Sequence, residues 1–61
     1  MQPNPRFEVY EDKAGKWRWR LISGGDIIAD SAQGYASKEG ALRGIESVKK
    51  HAPGAPVVDG K

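Results

Sequence analysis

Apolar and polar residues alternate along two stretches in the first half of the chain, Phe7–Tyr10 and Trp17–Leu21. A period of two residues is typical of a β-strand that buries one face. A third stretch, Ile27–Ser31, is rich in β-branched residues and follows a turn segment with two adjacent glycines. The pattern therefore predicts three short strands joined by two hairpins.

The turn between the first two strands sets their register. Gly15 suits the left-handed position that closes a three-residue loop, so we predict a loop of residues 13–15. Directly opposed residues share a face of the sheet, and this loop places the apolar side chains of both strands on one face. The predicted opposed pairs are Val9 with Trp19 and Phe7 with Leu21.

The register of the second hairpin has two interpretations. A two-residue turn, Gly24-Gly25, places Ile28 on the face of the tryptophans, which we call the inner face. A three-residue loop of residues 23–25 places Ile27 and Ala29 there instead. We favour the three-residue loop, because a small alanine then packs against the second tryptophan and the aspartate that follows lies on the opposite, outer face.

A helix is predicted from about Lys38 to Ala52, with Ser37 as the N-cap whose hydroxyl accepts a hydrogen bond from an early backbone N–H. Apolar residues recur at spacings of four, three and four and form one stripe that covers the inner face of the sheet. The members of this stripe are Ala41, Ile45, Val48 and Ala52. Gly44 flanks the stripe and allows the helix to approach a bulky indole, although glycine costs about 1 kcal/mol relative to alanine inside a helix.

The two ends of the chain lack the helical and strand patterns of its centre. Residues 1–6 contain two prolines, which predicts a flexible N-terminal arm. Pro53 ends the helix, and residues 53–56 form a stiff hinge before a short strand at 57–59. Hinges of this kind favour exchange of a terminal strand between two copies.

The predicted fold class is α+β, as one domain of residues 7–59. It consists of an antiparallel meander of three strands, one helix packed on one face, and a C-terminal strand. The predicted core comprises Phe7, Val9, Trp17, Trp19, Leu21, Ala41, Ile45 and Val48.

Composition excludes several classes of protein. A chain of 61 residues hides only about 60% of the surface exposed by its unfolded form, so its core is marginal without a second copy. It has no cysteine and one histidine, which excludes a disulfide framework and the usual Cys/His zinc site. The net charge of +2 is far from the positive field of most nucleic-acid binders. No apolar run approaches the roughly 20 residues that cross a bilayer, and the first residues do not form a signal peptide, so we expect a soluble cytoplasmic protein.

Four separated segments of the chain carry a family resemblance: Trp17–Leu21, Ile27–Ala29, Gly34–Lys38 and Gly44–Lys50. In this order they resemble the YegP-like family, small proteins of uncharacterised function, over about residues 7–59. The resemblance implies β-β-β-α-β units that occur as tandem repeats or as two identical chains. It further implies that two units join into one sheet and exchange their C-terminal strands. A chain with one unit would therefore form a homodimer, with Pro56, Val57 and Val58 at the interface.

Strand alternation separates the tryptophans of the second strand from its arginines. If Trp17 and Trp19 point inward, Arg18 and Arg20 point outward, and the indoles are unavailable for stacking on bases. The best candidate ligand surface is then the outer face of the sheet, formed by Tyr10, Lys16, Arg18, Arg20 and Ile22. Its simplest interpretation is a solvated face. The alternative is weak binding of nucleic acid or another polyanion.

The sequence contains no arrangement of residues that predicts catalysis. Ser37 caps a helix and lies about 20 Å along it from His51. Tyr35 and Lys38 are three residues apart rather than the four of the dehydrogenase Tyr/Lys pair. We therefore predict that the protein is not an enzyme, that it uses no cofactor or metal, and that it is a homodimerising module.

Overall fold

The computed structural model describes residues 5–60, which form a three-stranded antiparallel sheet of order β1-β2-β3 and one helix. The elements are β1 (Arg6–Glu11), β2 (Trp17–Ser23), β3 (Asp26–Asp30), α1 (Lys38–His51) and a short 3-10 helix (Ala52–Gly54). Residues 1–4 of the predicted N-terminal arm lie outside the described residues, and Arg6 already belongs to β1. The predicted α+β arrangement of a meander and one helix is confirmed.

The first hairpin has the predicted register. Val9 lies opposite Trp19 and Phe7 lies opposite Leu21. Gly15 adopts a φ of 81°, the left-handed conformation that the turn requires. Turn chemistry and the hydrophobic pattern thus lead to the same pairing.

The second hairpin differs from the favoured prediction. Its turn is the two-residue Gly24-Gly25, with φ values of 62° and 86° as a type I′ turn requires. A β-bulge follows, because Leu21 pairs with Ala29 while its neighbour pairs with Ile27, which leaves Ile28 as the extra residue. The predicted three-residue loop and the inward position of Ile27 were therefore wrong.

The bulge restores the predicted faces of the residues that follow it. Ala29 shares the inner face, although its partner is Leu21 rather than Trp19, and Asp30 lies opposite Arg20 on the outer face. One inserted residue reverses the side on which every later side chain lies.

The connector after β3 remains beside β2. The backbone N–H of Ser31 donates to the carbonyl of Trp19 at 2.9 Å, and the buried Ser31 hydroxyl accepts from the N–H of Trp19 at 3.2 Å. Tyr35 and Trp17 then exchange two backbone hydrogen bonds of 2.7 and 2.8 Å. This bridge fixes Tyr35 directly before the helix.

Helix α1 begins where Ser37 predicts. The Ser37 hydroxyl accepts from the backbone N–H of Gly40 at 3.1 Å, which satisfies one of the unpaired amides of the first turn. The α-helix ends at His51, and the chain continues through a 3-10 turn that contains Pro53.

The core lies between α1 and the inner face of β1 and β2. Trp19, Ala41 and Ile45 are buried, and the partly buried residues packed against them are Phe7, Val9, Trp17, Tyr35 and Val48. Leu21 was predicted in this cluster, but it lies outside the cluster and is only partly buried. Ala52, which was predicted on the apolar stripe of the helix, is exposed. The reason is the position of α1, which packs over β2 and β1 and lies farther from β3.

Tyr35 fills the space that the helix glycines leave open. A Cβ atom at residue 44 would lie closest to the Tyr35 hydroxyl. It would also lie 2.9 Å from Cζ of Tyr35 and 3.2 Å from Nε1 of Trp19. Gly44 therefore admits the tyrosine as well as the predicted indole. Gly40 is less crowded, because a Cβ there would be 3.4 Å from the Tyr35 ring, an ordinary contact.

We expect Gly44→Ala to destabilise the fold by about 1–3 kcal/mol, because the added methyl group displaces the Tyr35 ring and the Trp19 indole. Gly40→Ala is the matched control, since it gives the same gain in helix propensity without the collision. The measurement is the midpoint of urea unfolding for both variants. A midpoint that rises equally in both would contradict the close packing at Gly44.

Candidate functional site

The outer sheet face brings together most of the predicted ligand-binding residues. Tyr10 lies opposite Arg18, as expected. The Arg20 guanidinium carbon is 4.6 Å from the centre of the Tyr10 ring, a cation–π contact. The tyrosine face that could have stacked on a base is therefore covered by an arginine of the same sheet.

Carboxylates neutralise the arginines of this face. Nε of Arg18 lies 2.6 Å from Oδ2 of Asp12, and Nε of Arg20 lies 3.0 Å from Oε1 of Glu8. The other oxygen of Glu8 accepts from Arg6 at 2.9 Å. Asp30 also lies opposite Arg20. The outer face is thus a balanced network of charges rather than a field of one sign.

The same contacts lower the pKa values of both paired carboxyl groups. Hydrogen bonds from Arg6 and then Arg20 hold the pKa of Glu8 below its usual value. A hydrogen bond from Arg18, followed by those from the backbone N–H groups of Lys16 and Ala14, lowers the pKa of Asp12. Each carboxylate is stabilised in its charged form by the hydrogen bonds that it accepts.

Lys16 and Ile22 contribute differently from the other predicted residues. Lys16 is exposed and makes no ion pair within the described residues. The connector covers its stem, since a Cβ at Gly34 would lie 2.6 Å from Cβ of Lys16. Ile22 is only 8% exposed, so its side chain offers little surface to a ligand.

The pairing of Glu8 with Arg20 could have been found from the sequence. The predicted register of the first hairpin places these two residues opposite each other, and opposed charges attract across a sheet. The net charge of the whole chain gives no indication of this local balance.

The C-terminal segment, residues 55–60, is exposed along its full length. Val57 is 100% exposed and Val58 is 77% exposed. The segment follows the 3-10 turn and forms no hydrogen-bonded strand within the single chain. It therefore places two β-branched apolar residues in solvent.

The residues considered for catalysis have structural roles in the single chain. Ser37 caps α1, and Tyr35 packs against the glycines of the helix. Nδ1 of His51 lies 2.9 Å from the carbonyl oxygen of Ser47, one turn earlier. The Ser47 hydroxyl also lies 3.4 Å from this ring nitrogen, on the exposed surface of α1.

Residues 5–60 contain neither a metal-binding cluster of side chains nor a helix suited to span a membrane. No cluster of three or more His, Asp or Glu side chains in this range could hold a metal ion. None of its helices has the length and apolar character that a membrane span requires.

Comparison with known proteins identifies relatives across nearly the whole chain. Residues 12–59 match the family described as "Domain of unknown function (DUF1508)". A "UPF0339 protein" of Methanosarcina acetivorans is 54% identical over 54 residues, which cover 87% of this chain and 91% of that protein. A "UPF0339 protein in ptx operon 5'region" of Stutzerimonas stutzeri is 49% identical over 47 residues, which cover 77% of this chain and 42% of that protein.

A solved structure has the same fold. The NMR solution structure of the protein from Haloferax volcanii superimposes with a TM-score of 0.86 at 52% sequence identity. The match covers 95% of this chain and 98% of the other. The meander with one helix is therefore shared with an experimentally determined relative.

We expect Glu8→Gln and Asp12→Asn to flatten the acid limb of the stability profile. Because both pKa values are lower in the folded chain, the ion pairs contribute fully above the unfolded values of about 4, and that contribution is lost as the pH falls through the folded values. Urea midpoints between about pH 7 and pH 2 measure this slope. Glu39→Gln is the control, since Glu39 makes no ion pair in the described chain. An NMR titration with ordinary pKa values for Glu8 and Asp12 would contradict the network.

Proposed function

The chain belongs to the DUF1508 family, which includes the YegP-like proteins, and we propose that it is a non-enzymatic homodimerising module. In this proposal two chains exchange their C-terminal strands, residues 57–59. Pro56, Val57 and Val58 then form part of the dimer interface.

The exposure of Val57 and Val58 carries the proposal. Burying a valine side chain contributes about 1.5 kcal/mol or more, and the single chain leaves both valines in solvent. The segment of residues 55–60 is exposed throughout, like the donor strand of an exchanged dimer before its partner is added. A second copy supplies the missing apolar partner.

The hinge explains why the strand leaves its own domain. The turn of Ala52–Gly54 ends in an extended residue, Ala55, with φ −81° and ψ 124°. Pro56 follows, and the proline ring restricts both its own φ and the conformation of Ala55. The hinge therefore favours an extended exit over a tight reversal onto the same sheet.

The size of the domain supports self-association. Among residues 5–60, the buried cluster consists of Trp19, Ala41 and Ile45, which is a small core for a domain of this length. The match covers 42% of the Stutzerimonas stutzeri relative, so that protein is long enough to contain a second unit of this size. Two units in one chain and two identical chains are equivalent ways to build the same pair.

The polyanion alternative has weaker support. In its favour, Tyr10 lies opposite Arg18 and beneath Arg20, and the exposed Lys16 makes no ion pair within residues 5–60. Against it, Asp12 and Glu8 already neutralise these arginines. A polyanion would have to displace both carboxylates, at a cost in electrostatic energy, before it gained the same contacts.

Truncation after Pro53 is expected to convert a dimer into a monomer. Light scattering during gel filtration should give the full chain a mass of twice 6.6 kDa at tens of micromolar, and the truncated chain the mass of one copy. Leu42→Ser is the matched control, because Leu42 is an exposed apolar residue on α1, outside the C-terminal segment, and its removal should leave the mass unchanged. A monomeric full chain, or a dimer that survives truncation, would refute the exchanged strand.

Fluorescence anisotropy with a labelled single-stranded oligonucleotide tests the alternative. We expect no binding at about 150 mM salt, where contacts to phosphates are strongly weakened. Salt-sensitive binding that is lost in Arg18→Gln/Arg20→Gln, but kept in Lys49→Gln/Lys50→Gln, would establish the outer face as a polyanion site. The two double variants remove the same charge, so only the position differs.

A further inference from the structure

We propose that the indole N–H of Trp19 and the hydroxyl of Tyr35 form a binding site for the carbonyl oxygen of a small neutral ligand, such as an amide. The site lies within one copy of the chain, on the side of α1 that faces β3. It is therefore independent of the proposed homodimer, and its test does not depend on whether the chain self-associates.

The indole nitrogen of Trp19 is a buried donor without an acceptor. Trp19 is only 7% exposed, and its Nε1 has no hydrogen-bond partner among residues 5–60. An indole N–H can only donate, so no other arrangement of its proton satisfies it. Buried polar groups are nearly always paired in native proteins, and an exception indicates a role beyond packing.

The Tyr35 hydroxyl lies at the same place. A Cβ atom at residue 44 would border both groups, since it would lie 3.2 Å from Nε1 of Trp19 and even closer to the hydroxyl oxygen. The hydroxyl makes no hydrogen bond within residues 5–60. Two groups that can donate to a ligand thus border one helix position that has no side chain.

This part of the helix faces β3. Gly40, Gly44 and Ser47 recur at spacings of four and three, so they share one flank of α1. Tyr35 contacts both glycines, and its backbone bonds to Trp17 on the side of β2 that continues from β3. The helix lies farther from β3 than from the other strands, and all five residues of β3 are exposed. A ligand can therefore approach from the side of β3.

The chemistry of the site favours a neutral carbonyl oxygen. Such an oxygen has two lone pairs, so it can accept from the indole N–H and from the tyrosine O–H together. A carboxylate would lose its hydration without gaining a cation, which is costly in apolar surroundings. The residues that pack around the indole within residues 5–60 are all uncharged: Phe7, Val9, Trp17, Tyr35, Ala41, Ile45 and Val48.

The Tyr35 ring controls access to the indole nitrogen. Its backbone is fixed by two hydrogen bonds to Trp17, but its side chain is half-buried and is held by packing alone. The ring can therefore turn about its Cα–Cβ bond without a change in the backbone. Rotation away from Gly44 opens Nε1 toward β3, and the hydroxyl then donates to the same ligand oxygen.

An NMR titration of the full chain with N-methylacetamide tests the site. The spectrum of the two indole N–H groups is recorded, and Trp17→Phe assigns them. We expect a saturable downfield shift of the Trp19 indole proton, with a shift of the Trp17 indole at least about threefold smaller. Acetate, which has a similar shape but carries a charge, should give no saturable shift. No saturable shift with the amide, equal shifts at both indoles, or a stronger response to acetate would overturn the proposal.

Tyr35→Phe separates the hydroxyl from the ring. The variant keeps the packing against Gly44 but loses one donor, so N-methylacetamide should bind about three- to tenfold more weakly, as expected for one neutral hydrogen bond. Ser47→Ala is the matched control, because it removes a hydroxyl from the same flank of α1 one turn away and should leave the affinity unchanged. Equal affinities in Tyr35→Phe and the parent chain would refute the role of the hydroxyl.

Hydrogen exchange in the unsubstituted chain tests whether the site opens. The backbone N–H of Trp19 donates to the buried Ser31 hydroxyl and should exchange only through larger openings of the fold. If rotation of Tyr35 uncovers Nε1, the protection factor of the Trp19 indole N–H should be at least about tenfold lower than that of this backbone N–H. Equal protection of the two groups would show that the nitrogen opens only when the fold does, and would overturn the proposal.

Discussion

The packing of Trp19 beneath α1 is the interaction on which the rest of the structure depends. Its indole is covered by Ala41 and Ile45, and the edge of the Phe7 ring meets it with a centroid distance of 5.7 Å. The indole Nε1 is buried without a hydrogen-bond partner in the described chain, a cost of about 1–3 kcal/mol that the surrounding packing offsets. Gly44 permits this close approach, which accounts for a glycine in the middle of the helix.

The inward position of Trp19 also determines the chemistry of the opposite face. Strand alternation sends Arg18 and Arg20 outward, where Asp12 and Glu8 meet them. The resulting network joins β1 to β2 and to the turn between them, and its charges balance. The outer face therefore acts in the single chain as a stabilising surface, and its arginines are already occupied.

A helix that covers two of three strands leaves a domain with unequal sides. Beyond β1, the sheet ends in open backbone groups next to partly exposed apolar residues, and the C-terminal valines extend into solvent. The proposed dimer uses a second copy to complete a core that 61 residues alone leave small.

The sequence by itself determined the elements whose causes are local. Alternation predicted the strands and placed Tyr10, Arg18 and Arg20 outward, the turn glycine predicted the first register, and Ser37 predicted the start of the helix. Only the tertiary structure decided the bulge at Ile28, the burial of Ile22 and the packing of Tyr35 against Gly44. These features depend on contacts between segments that are distant along the chain, and periodicity does not encode how closely such segments approach. The bulge shows the reason directly, because one extra residue, accommodated by pairing with β2, changes the face of every side chain after it.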